Sequence, residues 1–282
     1  MDTPKQILKK YERDGYCIAR NVIEKQIIEN ILNNVCQNYF KRNPKSKFMK
    51  EKKPWKNISF NEEMSKFRDE KSELFSEVYD SCLSSISAAQ LTTSKIISKI
   101  VSIILKCKTV ELSHVRNQVR MDTPFDKRNT TKWHQDVKYF YNPGVVLWTP
   151  LVKHTEKMGL LNILEKSHLE GEVPYGANNY STEKYLHQQM VHTSRVSHWK
   201  IQKKTLEKCR KKYRLKKVSI NEGDALFFSM NLLHKSGTNI SKKIRFTYQS
   251  RFFNSISSEF AALVPKLILN PYSAKKLGRR FP

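Results

Sequence analysis

Three side chains have the types and the spacing to hold a metal ion. Thr131-Lys132-Trp133-His134-Gln135-Asp136 sets an imidazole and a carboxylate two residues apart, and Met230-Asn231-Leu232-Leu233-His234 supplies a second imidazole one hundred residues after the first. On a β-strand alternate side chains share a face, so His134 and Asp136 point into one pocket while Gln135 turns away. Two histidines and one carboxylate leave the other half of an octahedral ion open. That suits a non-haem ferrous ion that must also hold a cosubstrate and oxygen. Arg245 follows His234 by eleven residues. Its guanidinium is a permanently charged fork, suited to the far carboxylate of a dicarboxylate whose other end chelates the metal. A His-x-Asp pair by itself is more often structural. Here Asn221-Glu222-Gly223-Asp224-Ala225-Leu226-Phe227-Phe228-Ser229-Met230 reads as a turn feeding a buried apolar strand that delivers His234 to its end. Among the remaining histidines His168 is the rival ligand, at the wrong distance from Arg245. His187, His192 and His198 lack a shared ligand spacing and read as surface residues.

The elements that must carry these residues follow from periodicity. Residues 4–13 have helical spacing through Ile7, Leu8 and Tyr11, with Thr3 as N-cap, Pro4 in the first turn and Gly15 as the stop. A short strand over 16–19 leads to an amphipathic helix over 24–40, with Ile27, Ile28, Ile31, Leu32, Val35 and Tyr39 on one face. Residues 41–55 read as an exposed, lysine- and proline-rich loop. Helical patterns recur over 62–87 and 94–105. A strand over 111–121 groups Leu112, His114, Arg116, Gln118 and Arg120 on one face. That face either lines the pocket, making Gln118 a cosubstrate contact and Arg120 a substrate contact, or lies outside as a polar surface. Residues 137–141, the turn Asn142-Pro143-Gly144 and a strand over 145–151 are expected to form a hairpin. Trp148 then packs against the cosubstrate or fills core, and Tyr139 borders the substrate mouth. After a strand over 159–164 comes a long polar stretch, about 166–213, read as a lid. Its basic run over 200–217 is an anion-binding surface or a solvated helix. Residues 245–253 alternate as the return strand.

Many short strands after a helical front, without a glycine-rich phosphate loop, indicate an α+β chain built on a double-stranded β-helix, the jelly-roll barrel. One domain over 1–282 is expected: a helical support over 1–108 packed on the outer sheet, a barrel over 109–254, and a basic tail over 255–282.

These pieces, in order, resemble the phytanoyl-CoA dioxygenase family of Fe(II)/2-oxoglutarate oxygenases. The resemblance rests on Trp133-His134-Gln135-Asp136, on Leu147-Trp148-Thr149-Pro150-Leu151, and on Gly159-Leu160-Leu161 leading to Ser167-His168. Gly223-Asp224-Ala225-Leu226 and His234-Lys235-Ser236-Gly237-Thr238-Asn239, closing at Arg245, complete it. The opening Tyr11-Glu12-Arg13-Asp14-Gly15-Tyr16-Cys17-Ile18-Ala19-Arg20-Asn21-Val22 matches the family's helix, Asp-Gly turn and short strand. One departure is Glu165-Lys166, where the family usually has Pro-Gly. The resemblance implies His134, Asp136 and His234 as ligands of Fe(II), and Arg245, Ser236, Trp148 and Gln118 as contacts of 2-oxoglutarate. It implies O2-dependent decarboxylation of that cosubstrate, coupled to oxidation of an unactivated C–H bond. Halogenating relatives replace the carboxylate ligand with a small residue; Asp136 keeps it, which implies hydroxylation.

Charge bears on the substrate. The sequence has 52 basic and 26 acidic residues, a formal charge of +26. Such a field attracts a small or carrier-linked anionic substrate, or else nucleic acid or an anionic surface. Abundant lysine, asparagine and isoleucine also fit an AT-rich coding bias. The three functional readings are an oxygenase of an anionic metabolite, a dioxygenase of nucleic acid or another anionic macromolecule, and a non-catalytic binding barrel. The five cysteines are scattered, without a Cys-x-x-Cys pair, and read as reduced thiols. No run approaches the roughly 18 apolar residues of a membrane span, and nothing resembles a signal peptide, so a cytoplasmic protein is expected.

Overall fold

A computed structural model describes residues 3–83, 85–126, 130–137, 144–175 and 201–257. The chain opens with α1 (Pro4–Asp14), capped by Thr3 and Gln6 in a reciprocal box and stopped by Gly15 at φ 82°. Strand β1 (Tyr16–Ala19) and helix α2 (Lys25–Arg42) follow. The loop expected over 41–55 is real, but Phe48 and Trp55 are buried, so its aromatic residues belong to the core. The helical pattern after it breaks into α3 (Ile58–Glu70), α4 (Ser72–Ser81) and α5 (Ile86–Thr92), followed by α6 (Lys95–Leu105). Asn57, Ser85 and Ser94 cap α3, α5 and α6 with side-chain oxygens, which explains why one periodic stretch became several helices.

The strands are β2 (Leu112–Asp122), β3 (Val145–Pro150), β4 (Leu161–Leu164), β5 (Leu215–Val218), β6 (Ala225–Ser229), β7 (His234–Lys235) and β8 (Arg245–Asn254). Helix α7 (Lys203–Lys212) precedes β5. Five strands form one antiparallel sheet in the order β1-β6-β3-β8-β2, and three form a second in the order β5-β4-β7. This is the double-stranded β-helix with helices on its outer sheet. Both faces of the larger sheet are buried, each against a different layer. Val145, Leu147, Ala225 and Phe227 pack with the helices, whereas Val146, Trp148, Leu226 and Phe228 pack inward with Leu161, Ile163 and Val218. The continuous apolar run of β6 is the sequence form of that two-sided burial.

Two expectations fail because partners distant in the chain take up the strands' hydrogen bonds. β3 pairs with β6 on one side and β8 on the other, so it has no edge left for the hairpin expected with residues 137–141; residues 138–143 lie outside the described residues. In β2 the register shifts between Val115 and Gln118. The extra residue flips the alternation: His114 pairs with Phe252, whose ring joins the helical layer, while Gln118 pairs with Gln249 and Arg120 with Thr247. His114 is therefore on the opposite face from Gln118 and Arg120. Asn117 anchors the bulge, its Oδ1 accepting from Thr92 Oγ1 at 2.8 Å, Tyr248 OH at 2.9 Å and Ser250 Oγ at 3.1 Å.

Candidate metal centre

Both imidazoles are built into the backbone before they reach the site. Residues 131–134 run alongside β7, where His134 and His234 exchange backbone hydrogen bonds of 3.0 and 3.1 Å. Only that isolated bridge forms, and Asp136 lies in a turn just beyond it, so the regular strand expected across 134–136 is absent. The expected division of side chains nevertheless occurs. Gln135 turns away, its amide donating to Gly171 O at 2.8 Å and Asn231 O at 2.6 Å and accepting from the Val173 amide at 2.9 Å. It thereby ties the ligand loop both to the approach to His234 and to the segment after β4.

The chelating atoms converge. His134 Nε2 lies 3.5 Å and His234 Nε2 3.8 Å from Asp136 Oδ1, and one ligand atom from each of the three residues falls within 4.8 Å of the others. His134 Nδ1 donates to Lys132 O at 2.7 Å and His234 Nδ1 to Leu232 O at 2.9 Å. Each Nδ1 proton is thus committed to a carbonyl, leaving the Nε2 lone pair directed inward, the tautomer a metal requires. Burial, then the neighbouring His134, pushes the His234 pKa down to about 3, so its ring is neutral at ordinary pH. Burial would raise the Asp136 pKa, but the Arg251 guanidinium outweighs it and holds the carboxylate ionised. Arg251 donates from Nε at 3.0 Å and Nη2 at 2.8 Å to Asp136 Oδ2, so that Oδ1 faces the imidazoles. Two imidazole nitrogens and one fixed anionic oxygen form a donor set that fits a divalent first-row ion.

Arg251 was not among the residues singled out in the sequence. Its signal was present: it stands six residues after Arg245 on the same strand, and therefore on the same face. Asp122 was also missed. It lies two residues beyond Arg120 and accepts from Arg245 Nε at 3.0 Å and Nη2 at 2.8 Å on Oδ2, and from Arg120 at 3.2 Å on Oδ1. Burial disfavours its charge, yet the two guanidinium groups hold its pKa below the usual range. Arg245 is buried, and its Nη1 donates to the carbonyls of Met158, Gly159 and Gly237. Those carbonyls converge because Gly159 and Gly237 abut: a Cβ at either would come within 2.5 to 2.7 Å of the other's backbone.

Ser236 bonds through Oγ to Thr131 Oγ1 at 2.6 Å, joining β7 to the ligand loop. Trp148 is buried on the inner face. Gln118 bridges Tyr79 OH and Gln249. Tyr139 lies outside the described residues, as do His187, His192, His198 and the central part of the expected lid. The described flanks of that stretch are anchored, with Val173, Ile201, Cys209 and Tyr213 packing on Leu164 and Leu233. His168 does not compete for the metal; its Nε2 bonds to Glu12 O at 3.0 Å beneath Gly15. The departure at Glu165-Lys166 is accommodated by Lys166 in the left-handed region, φ 67°, and by Glu165 bonding to Tyr16, Arg214 and Lys216. Two concavities of about 830 and 600 Å³ lie along the β1 edge, lined by residues such as Arg13, Tyr16 and Lys216, and none of the chelating residues lines them.

The family profile described as Phytanoyl-CoA dioxygenase (PhyH) matches residues 11–247. No curated protein matches the sequence. Similar solved structures include "EctD from S. alaskensis with bound Fe" (TM-score 0.55, 12% identity, 89% of this chain and 77% of that one). The non-heme monooxygenase ThoJ in its apo form gives 0.54 and 14%, over 88% and 77%. EvdO2 from Micromonospora carbonacea var. aurantiaca complexed with 2-oxoglutarate gives 0.52 and 15%, over 89% and 91%. At these identities the likeness is one of fold.

Proposed function

The chain belongs to the phytanoyl-CoA dioxygenase family, and from that premise we propose that it is an Fe(II)- and 2-oxoglutarate-dependent oxygenase that hydroxylates an unactivated C–H bond of a small or carrier-linked anionic substrate. The observation that carries this is the set of committed partners around the chelate: both Nδ1 protons on carbonyls and one Asp136 oxygen on Arg251, leaving three donors for one ion. Bound iron and 2-oxoglutarate supply the oxidising power, with O2 consumed and succinate and carbon dioxide released.

The protein's part is to hold and to orient. His134, His234 and Asp136 hold the ion, and Arg251 fixes which carboxylate oxygen faces it. Arg245 receives the cosubstrate's far carboxylate, with Ser236 holding the adjoining loop and Trp148 walling the inner face. Gln118 sets the position of Gln249, and Arg120 shares Asp122 with Arg245. An anionic substrate is favoured by charge in the interior. Among the described residues Arg120, Arg245 and Arg251 face Asp122 and Asp136, three cations against two anions. A divalent ion and a dianionic cosubstrate leave that balance among the described residues unchanged.

The test is succinate release from the Fe(II)-loaded protein under O2, screened over anionic metabolites, thioesters, nucleotide-linked sugars and oligonucleotides. His134→Ala, Asp136→Ala or His234→Ala should each abolish substrate-dependent succinate, and retained turnover in any of them refutes the assignment. Turnover confined to oligonucleotides would replace the small-molecule reading with the nucleic-acid one.

A further inference from the structure

His154 stands in the wall of this site with no role assigned to it. It follows β3 by four residues and is 9% exposed, its ring centroid 5.6 Å from that of Trp148 and tilted by 42°. Both ring nitrogens are buried, and neither has a hydrogen-bond partner among the described residues. Burial first, and then the nearby Arg245, pushes its pKa down to about 4, so the ring is neutral and offers one N–H donor. The Gly159 carbonyl favours a proton on the ring, but it lies outside hydrogen-bonding geometry and already accepts from Arg245. A buried polar nitrogen without a partner loses its hydration and gains nothing in return. An imidazole with two such nitrogens is therefore placed for something that arrives later.

What arrives can be read from the neighbours. Arg245 and Asp122 both act electrostatically on His154. Arg245 is already heavily engaged, with Nε and Nη2 on Asp122 and Nη1 on three carbonyls. A carboxylate entering here meets a guanidinium whose charge is shared with Asp122, and an Asp122 that repels it. An uncharged donor beside that pair strengthens the hold on the newcomer without adding a second charge to bury. Trp148 supplies an apolar wall on the same side.

We propose that His154 donates a hydrogen bond to the distal carboxylate of the dicarboxylate cosubstrate and, with Arg245, selects it over 2-oxo acids that lack a second carboxylate. This rests on the proposed 2-oxoglutarate chemistry, and the test separates the two. Fe(II)-loaded protein is titrated without oxygen with 2-oxoglutarate and with 2-oxobutyrate, which has the same chelating end and no distal carboxylate. Binding is read from visible charge-transfer absorbance, and Fe(II) affinity is measured separately.

His154→Ala should raise the Kd for 2-oxoglutarate by about ten- to a hundredfold, the loss of one hydrogen bond to a charged group. It should leave Fe(II) affinity and the Kd for 2-oxobutyrate within about twofold. His154→Phe, which refills the space against Trp148 without an N–H, should match His154→Ala and carries the test if the smaller residue impairs folding. His154→Gln, which restores a donor, should recover most of the affinity. Equal losses for both oxo acids would show a merely structural residue, and unchanged Kd values would show an irrelevant one; either overturns the inference. Unsubstituted protein that binds Fe(II) but not 2-oxoglutarate would remove the proposed cosubstrate and this role together.

Discussion

Removing the group behind a ligand tests the site without touching the ligand. Arg251→Met takes away both hydrogen bonds on Asp136 Oδ2 while keeping a long apolar side chain. Fe(II) affinity, measured by calorimetry without oxygen, should fall by about ten- to a hundredfold, the usual loss for such supporting partners. A second prediction concerns acid. Burial is the leading cause that pushes His154 down to about 4 and His234 to about 3, against roughly 6.5 in an unfolded chain. Between those values the unfolded state binds more protons, so the stability of metal-free protein is complete above about pH 6.5 and declines as pH falls toward 4. His154→Phe should remove its share of that decline, on the order of 2 kcal/mol. Urea midpoints at pH 7.5 and pH 5 measure it, and an unaltered difference between them would refute the assignment.

At the scale of elements, the convergence of three carbonyls on Arg245 depends on two backbones touching where Gly237 meets Gly159. Gly237→Ala places a Cβ 2.7 Å from backbone atoms of Gly159 and Leu160. It should destabilise the protein by about 1–3 kcal/mol, as overpacking does, and lower the thermal midpoint. The sequence made this region legible as far as chemistry demands particular residue types. Periodicity recovered α1, β1 and α2 nearly to the residue, because caps and amphipathic faces are local signals. The convergence of His134, Asp136 and His234 was legible because few residue types chelate a metal. What escaped was set by contacts distant in the chain. The β2 bulge exists because Asn117 finds partners on α5 and β8, and nothing near residue 117 announces it. The pairing of β3 with β6 and β8 likewise displaced the nearer partner that alternation suggested.

For the molecule as a whole, layering decides which face of the larger sheet is left to the site. The helices seal the outer face of the larger sheet with a continuous apolar layer, so the inner layer is left to the ligand site. No single helix among the described residues is long and apolar enough to cross a membrane. The formal charge is +26, and inside the barrel three described guanidinium groups face two carboxylates. An anionic substrate should accordingly show a kcat/KM that falls several-fold between about 0.02 and 0.2 M salt, while a neutral analogue shows little change. Equal salt dependence for both would show that the field does not steer substrate.

Gln135 has a further implication. One amide grips the chain on three sides, so the peptide between His134 and Asp136 is a junction tied at once to Gly171, Val173 and Asn231. Loss of that one side chain would free the backbone between two chelating residues from three separate parts of the fold.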